Sequence, residues 1–400
     1  MSTDTQTVAT TVPQSARSQV VVAACPSYSI FDVEGALAEA LNALGGLTAF
    51  FKKGQTVLIK PNLFSAHPPE HAVTTHPEIV RNVIRMCVEA GAGRIWVGDS
   101  SVGLHAEADV WSRTGMTKAV AGTPAELKTW RVKQMALECG GDVLTVPEWY
   151  AQVDTVISLP KLKSHCLTAL SCGLKNVYGI VTGQAKSQFH MKYPSPLSMS
   201  AFLVRVFAQL KPQLTLVDWV VAMEGNGPAH GQPVQVGVIL AGRDAVALDS
   251  VACRPLRIVP SAVPMIRMAS ADGLGQMDES TIECVGSGVA QLQATHMRRS
   301  LSRFLYGIPE FMYGMTPWLF RLRPGIQPAR CKKCGMCAAV CPKHIISEDA
   351  RTTYPIIDQK RCIACFCCME SCPHGAIALQ LRLGTRIPLA QWVHREAAEG

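Results

Sequence analysis

Two cysteine runs in this chain share one spacing. Cys331-Lys-Lys-Cys334-Gly-Met-Cys337-Ala-Ala-Val-Cys341-Pro342 and Cys362-Ile-Ala-Cys365-Phe-Cys-Cys368-Met-Glu-Ser-Cys372-Pro373 both read C-x2-C-x2-C-x3-C-P. Three closely spaced thiolates on a tight loop can cap three iron corners of a cube. The fourth lies on the following helical turn, points away and reaches the neighbouring cube. This crossover groups Cys331, Cys334, Cys337 and Cys372 on one 4Fe–4S cluster and Cys362, Cys365, Cys368 and Cys341 on the other. A zinc ribbon would need two CxxC pairs, not two quartets with trailing prolines. Cys-Pro-Lys-His-Ile-Ile at 341–346 is echoed by Cys-Pro-His-Gly-Ala-Ile at 372–377, and Ile345, Ile346, Ile356, Ile357, Ile377 and Leu379 are expected to wrap the cubes. Cys367 falls outside the template and is expected to be a spare, half-buried thiol.

A second set of chemistry-bearing residues lies earlier, as polar islands between apolar runs. They are Lys60-Pro61-Asn62, Gly98-Asp99-Ser100-Ser101, Pro160 to Thr168 with Lys161, Lys163 and His165, and Ser171 to Gly179 with Lys175 and Asn176. His190, Asp218 and Glu224-Gly225 follow. Lys60, Lys161, Lys163 and Lys175 together favour an anionic ligand, a phosphate or carboxylate. His165 or His190 could supply a proton, or hold a metal with Asp218 or Glu224. The plainer alternative makes both histidines hydrogen-bonded structural residues. Asp99 and Asp218 read equally as acids or as helix caps.

The elements that must position these islands alternate. Strands are expected at Val20–Ala24, Val57–Lys60, Arg94–Gly98, Val153–Leu159, Leu214–Val217 and Val234–Leu240. Helices are expected at Val33–Leu44, Pro77–Ala90, Met199–Leu210 and Ala245–Cys253, the second opening on a proline suited to a first helical position. Such alternation predicts an α/β layered domain with a mostly parallel sheet. In open α/β sheets, ligands bind beyond the carboxyl ends of strands, where most of the islands begin. The expected organisation is a disordered tail over 1–19, the α/β domain over 20–290, an aromatic and basic linker over 291–327, a small α+β cluster module over 328–380 and a tail over 381–400. Within the linker, residues 297–323 mix arginines with aromatics and would suit a peripheral membrane or partner contact. Gly307, Pro309, Gly314 and Pro317 favour packing between domains instead.

Composition narrows the class. A hydrophobic fraction of 48% against 17% charged residues over 400 residues excludes a disordered chain. The formal charge of +8 counts every thiol as neutral, so cluster thiolates would lower it. No basic patch interleaved with aromatics points to nucleic acid. The polar start of the chain and the sixteen cysteines lead to the expectation of a reducing cytoplasm with metal-bound thiolates and no transmembrane segment.

The cysteine module resembles the dicluster bacterial ferredoxins. Residues 55 to 255 resemble the family called domain of unknown function 362. The resemblance rests on Ile59-Lys60-Pro61-Asn62, Gly98-Asp99, Leu159-Pro160-Lys161-Leu162-Lys163-Ser164-His165, Gly173-Leu174-Lys175-Asn176, Met223-Glu224-Gly225 with Gly227-Pro228, and Asp244 to Asp249. It implies a shared cleft, often joined to a C-terminal ferredoxin module, and no particular reaction. Together these readings lead to the expectation of a ferredoxin-fused reductase. It would take electrons from a redox partner protein and pass them to a small anionic substrate, or to a cofactor such as flavin, in the cleft. Two alternatives stand beside it: a non-catalytic electron-transfer adaptor, and a metal- or cluster-handling scaffold built on His165, His190 and Glu224.

Overall fold

The computed structural model describes residues 17–101, 106–166, 168–193, 195–300, 320–348, 352 and 354–383. Residues 1–16 and 384–400 of the expected tails, and 301–319 of the expected linker, lie outside the described residues.

Among the described residues, twelve strands precede the cluster module. They are β1 (Ser18–Ala24), β2 (Thr56–Pro61), β3 (Arg94–Val97), β4 (Glu126–Leu127), β5 (Gln134–Cys139), β6 (Asp142–Pro147), β7 (Thr155–Leu159), β8 (Lys161–His165), β9 (Ala169–Ser171), β10 (Leu214–Glu224), β11 (Gln232–Gly242) and β12 (Ile282–Val285). Ten form one sheet in the order β12-β1-β11-β10-β7-β2-β3-β4, with β8 paired to the far half of β10 and β9 paired to β8. Among the sheet's pairings only β1–β11, β10–β11 and β8–β9 are antiparallel. The parallel pairs follow from the helical crossovers between their strands. β5 and β6 form a separate hairpin.

The strand period of two divides the core between the faces. Val21 and Ala23 of β1, Val57 and Ile59 of β2, and Leu214 and Leu216 of β10 face one apolar layer. That layer is completed by helices α1 (Ile30–Ala43) and α2 (Pro77–Glu89), with the short α3 (Glu107–Arg113) and α4 (Met116–Val120) beside them. Val20 and Val22 of β1, with Val217 and Trp219 of β10, face the other layer. It contains α5 (Gly173–Asn176), α7 (Pro196–Leu210), α8 (Ala245–Ala252), α9 (Pro264–Ala271) and α10 (Val289–Ala294), while α6 (Gly183–Lys192) lies between α5 and α7 in the chain. The cluster module packs into this second layer, with Ile345, Phe366, Met369 and Ile377 continuous with Leu170, Tyr178 and Phe202.

The structure adds detail in three places. The polar island Lys161–His165 is itself a strand, and all five residues are buried. The cluster module is closed by β13 (Phe320–Ile326) and β16 (Ile377–Leu383), which pair antiparallel from Phe320↔Leu383 to Ile326↔Ile377. Its ladder therefore begins inside the expected linker and ends inside the expected tail. A second small pair joins β14 (Ile346–Ser347) to β15 (Ile356–Ile357). β1 starts at Ser18, where its parallel pairing to β12 begins, two residues inside the expected N-terminal tail.

Candidate functional site

Strand β8 sets out the site. Lys161, Lys163 and His165 are two apart, so the strand period puts them on one face. Each meets a different environment. Lys161 Nζ lies 2.9 Å from Asp218 Oδ2 and 2.6 Å from Tyr28 Oη. Asp218 also accepts from Tyr28 Oη at 2.7 Å and from the backbone N–H of His76, the residue preceding α2, at 2.8 Å. Tyr28 and His76 stack with ring centroids 3.6 Å apart. This is a closed, buried network in which the carboxylate offsets the cost of burying the ammonium.

Lys60 behaves likewise. Its Nζ pairs with Asp99 Oδ1 at 2.8 Å and donates to Pro61 O at 2.8 Å. The second Asp99 oxygen accepts from Leu63 N at 2.7 Å. A Cβ on Gly179 would collide with both Asp99 and Lys60, so this close approach needs glycine. Asp99 and Asp218 are thus ion-pair partners of lysines rather than helix caps. Burial lowers Lys60 and Lys161 from the ordinary lysine range, and Asp99 and Asp218 oppose the shift.

Among the described residues, Lys163 has no such partner within ion-pair distance. Its Nζ, 1% exposed, donates to Asn62 Oδ1 at 3.1 Å and Val73 O at 2.8 Å, both neutral. Burial and the neighbouring Lys175 ammonium hold it well below the usual lysine range. Lys175 itself, half-buried on α5, has neither hydrogen bond nor ion pair among the described residues. Asn176 ties the floor together, donating to Lys60 O at 3.2 Å and Ser158 Oγ at 2.9 Å.

Asn62, Asp99, Lys163, Lys175, Asn176 and His190 line one cavity of about 790 Å³. That volume lies in the range of small-molecule and cofactor sites. Lys60, Lys161, Asp218, Glu224 and His165 do not line it. Asp218 and the two paired lysines lie in the buried networks described above, and Glu224 pairs with Arg298 at 2.6 Å. The structure also adds residues that the sequence did not single out. Lys186 precedes His190 by one helical turn on α6 and lines the same cavity, a spacing that was readable in the sequence. Its Nζ donates to Ser100 O at 2.5 Å, and burial pushes it down to about 7. His190 is pushed down to about 4 by burial and by Lys175.

The roof of the cavity comes from the cluster module: Val340, Cys341, His344, Cys367, Glu370 and Ser371. Glu370 sits 3.5 Å from His165 Nε2, bridging the two parts of the chain. Burial raises its pKa. His165, Cys166 and Glu370 offer three donor atoms within 4.8 Å of one another, a set different from the expected His165, His190 and Glu224. Thr168 N donates to His165 Nδ1 at 3.3 Å. In a neutral ring that leaves the proton on Nε2, facing the Glu370 carboxyl at 3.5 Å across the two parts of the chain.

Two further voids lie inside the module. Cys331, Cys334, Cys337 and Cys372 line one, and Cys341, Cys362, Cys365 and Cys368 line the other. Each void thus receives three thiols from one run and the last thiol of the other. Four sulfurs in an apolar shell are the donor set a 4Fe–4S cube requires. His230 Nε2 lies 3.2 Å from Met369 O, bracing the second loop from the α/β side.

A lysine-floored α/β cavity roofed by a dicluster module defines an iron–sulfur electron-transfer protein that carries two 4Fe–4S clusters. Residues 57–254 match the family model described as domain of unknown function (DUF362), and residues 330–376 match a 4Fe-4S dicluster domain. The thylakoid-associated protein sll1697 of Synechocystis sp. is 33% identical over 251 residues, covering 62% of this chain and 77% of that protein. The chain belongs to the family of the domain of unknown function 362. Its module is also 38% identical over 55 residues to the pyruvate synthase subunit PorD of Methanocaldococcus jannaschii, covering 14% of this chain and 63% of that subunit.

Two solved structures are similar at greater distance. One is a Thermotoga maritima protein, at 13% identity and TM-score 0.34, covering 62% of this chain and 60% of that one. The other is the lactate racemase apoprotein of Thermoanaerobacterium thermosaccharolyticum, at 15% identity and TM-score 0.38, covering 56% and 54%. Among the described residues, no helix is long and apolar enough to cross a membrane.

Proposed function

We propose that the protein is a ferredoxin-fused reductase acting on a small, reducible anion held between the two domains. The observation that carries this reading is that Cys341, a thiol of the inner cluster void, lines the same cavity as Lys163 and Lys175. When bound, the clusters supply one-electron transfer. Cys331, Cys334, Cys337 and Cys372 hold one, and Cys341, Cys362, Cys365 and Cys368 the other. Lys175 and Lys163 draw the anionic group of the ligand to the floor, where no carboxylate competes for them within ion-pair distance. Asn62 and Asn176 orient it through neutral hydrogen bonds. Lys186, poised near neutral pH, holds a proton for the product, and His190, a neutral imidazole beside it, lines the wall. The cavity volume admits a flavin-sized ligand, so an organic cofactor phosphate is one form the anion can take. The likeness of the module to a pyruvate synthase subunit supports an oxidoreductase setting, and the cysteine content supports a reducing cytoplasm as its site of action.

The test uses anaerobically purified holo protein with its clusters reduced. A panel of reducible anions, flavin mononucleotide among them, is added while cluster re-oxidation is followed by absorbance and electron paramagnetic resonance. The expected result is re-oxidation by at least one anion, with KM raised about tenfold or more in Lys163→Ala through loss of one charged contact. Cys341→Ser should block re-oxidation while the outer cluster is still reduced. Re-oxidation by every such anion at the wild-type rate in both Lys163→Ala and Lys175→Ala overturns the assignment.

A further inference from the structure

The two cluster voids differ in what surrounds them. Cys341 and Pro342 line both the inner void and the cavity, whereas no residue lines both the outer void and the cavity. The outer void instead meets solvent. Residues 332–335 of its loop are all exposed, and Cys334 is the one exposed thiol among the eight that line the two voids. The rim is basic. Lys332, Lys333 and His374 border the void, Arg330 is exposed beside it, and no acid is among the residues that line it. A 4Fe–4S cube with four thiolates carries a net charge of about −2 in its oxidised form. An anionic carrier approaching that face would be repelled unless local cations reversed the sign. Arg330, Lys332 and Lys333 supply three such cations within four residues of the chain.

We propose that the exposed loop 330–335 is the docking surface of an acidic electron-carrier protein, and that electrons enter here, on the side of the module that does not border the cavity. The carrier gives up one electron, and its own centre is oxidised by one. The centre held by Cys331, Cys334, Cys337 and Cys372 is reduced by one, with no bond made or broken and no proton exchanged. The carrier's carboxylates would face Lys332 and Lys333, an arrangement that acts chiefly on the association rate and its salt dependence. The inference concerns where electrons arrive and does not depend on what is reduced in the cavity.

The probe is a plant-type ferredoxin, a small acidic one-electron carrier, mixed in its reduced form with the oxidised holo protein. In Lys332→Glu/Lys333→Glu, the second-order rate of electron uptake at low ionic strength should fall about tenfold or more, and the gap should close as salt screens it. Iron content and the two-cluster resonance spectrum of the variant are measured first. If the reversed pair fails to load iron, Lys332→Gln/Lys333→Gln replaces it, with about a threefold loss expected. Lys343→Glu, an exposed charge bordering the inner void, is the control for a reversal elsewhere on the module, compared with the single Lys332→Glu variant, and should leave the uptake rate within about twofold. Carbodiimide coupling of the wild-type pair, mapped by peptide mass spectrometry, should join ferredoxin carboxylates to Lys332 or Lys333. A rate indifferent to the reversed pair, an equal loss in the Lys343 variant, or cross-links confined to other lysines overturns the proposal.

Discussion

Lys161 and Lys163 are neighbours on one face of one strand, both about 1% exposed, yet they do different work. Lys161 is matched by Asp218 and Tyr28 inside a closed network, whereas Lys163 meets an amide oxygen, a carbonyl and the face of the Phe64 ring at the edge of a cavity. The difference teaches that burial of a lysine does not by itself mark a site. A buried ammonium with its own carboxylate belongs to the fold. One left with neutral acceptors, beside a second cation and an open volume, is arranged for a charge that arrives from outside.

The largest effect expected from this contrast is on stability. Lys161→Ala or Asp218→Ala leaves one buried charge unmatched and should cost roughly 3–5 kcal/mol, read as a lowered denaturation midpoint. Lys163→Ala removes a buried amine that the fold pairs with no carboxylate and should leave the midpoint unchanged or slightly raised. If the two lysine variants prove equally unstable, the contrast collapses.

The next effect concerns protons. Lys163 is held well below the ordinary lysine range in the free protein, and a bound anion beside it would raise it again. Binding should therefore take up protons, and affinity should fall as pH rises between the free and bound values. Calorimetry in buffers of different ionisation enthalpy reads the uptake directly, and Lys163→Met should abolish it.

The smallest effect comes from Lys186. Its folded value is about 7 against 10.5 for an unperturbed lysine, so the unfolded chain binds more protons between those limits. Stability contributed at this position is lowest below pH 7 and is recovered as pH rises toward 10.5. The melting temperature of the wild type relative to Lys186→Met should climb across that window. A flat difference would mean that Lys186 is better solvated than its surroundings imply.

Much of this contrast was hidden in the sequence. The cluster ligands were legible because their spacing is local and the cubes demand it. The alternating strands and helices were legible from apolar period, and the polar islands did mark the cavity floor through Asn62, Asp99, Lys163, Lys175 and Asn176. The pairing of Lys161 with Asp218, 57 residues away, and of Lys60 with Asp99 depends on sheet order, which single-strand patterns do not encode. Lys-Leu-Lys-Ser-His read as a polar island and not as a buried strand, because buried strands seldom carry such charge. Lys161, Lys163 and His165 on it are accommodated by Asp218, Asn62 and Glu370, all distant in the chain. Glu370 lies within a cysteine run, and nothing local to it signals that the module's packing turns it toward His165.

The unequal shielding of the two iron sites has a practical consequence for anyone handling the protein. Oxygen and chelators reach the rim at Cys334 before they reach Cys341 and Cys368, which are buried under Ile345, Ile346 and Phe366. Brief exposure to air should bleach the colour in two stages, passing through a half-loaded form that retains about four irons. Preparations made on the open bench would then hold the electron relay's last stop while lacking its first.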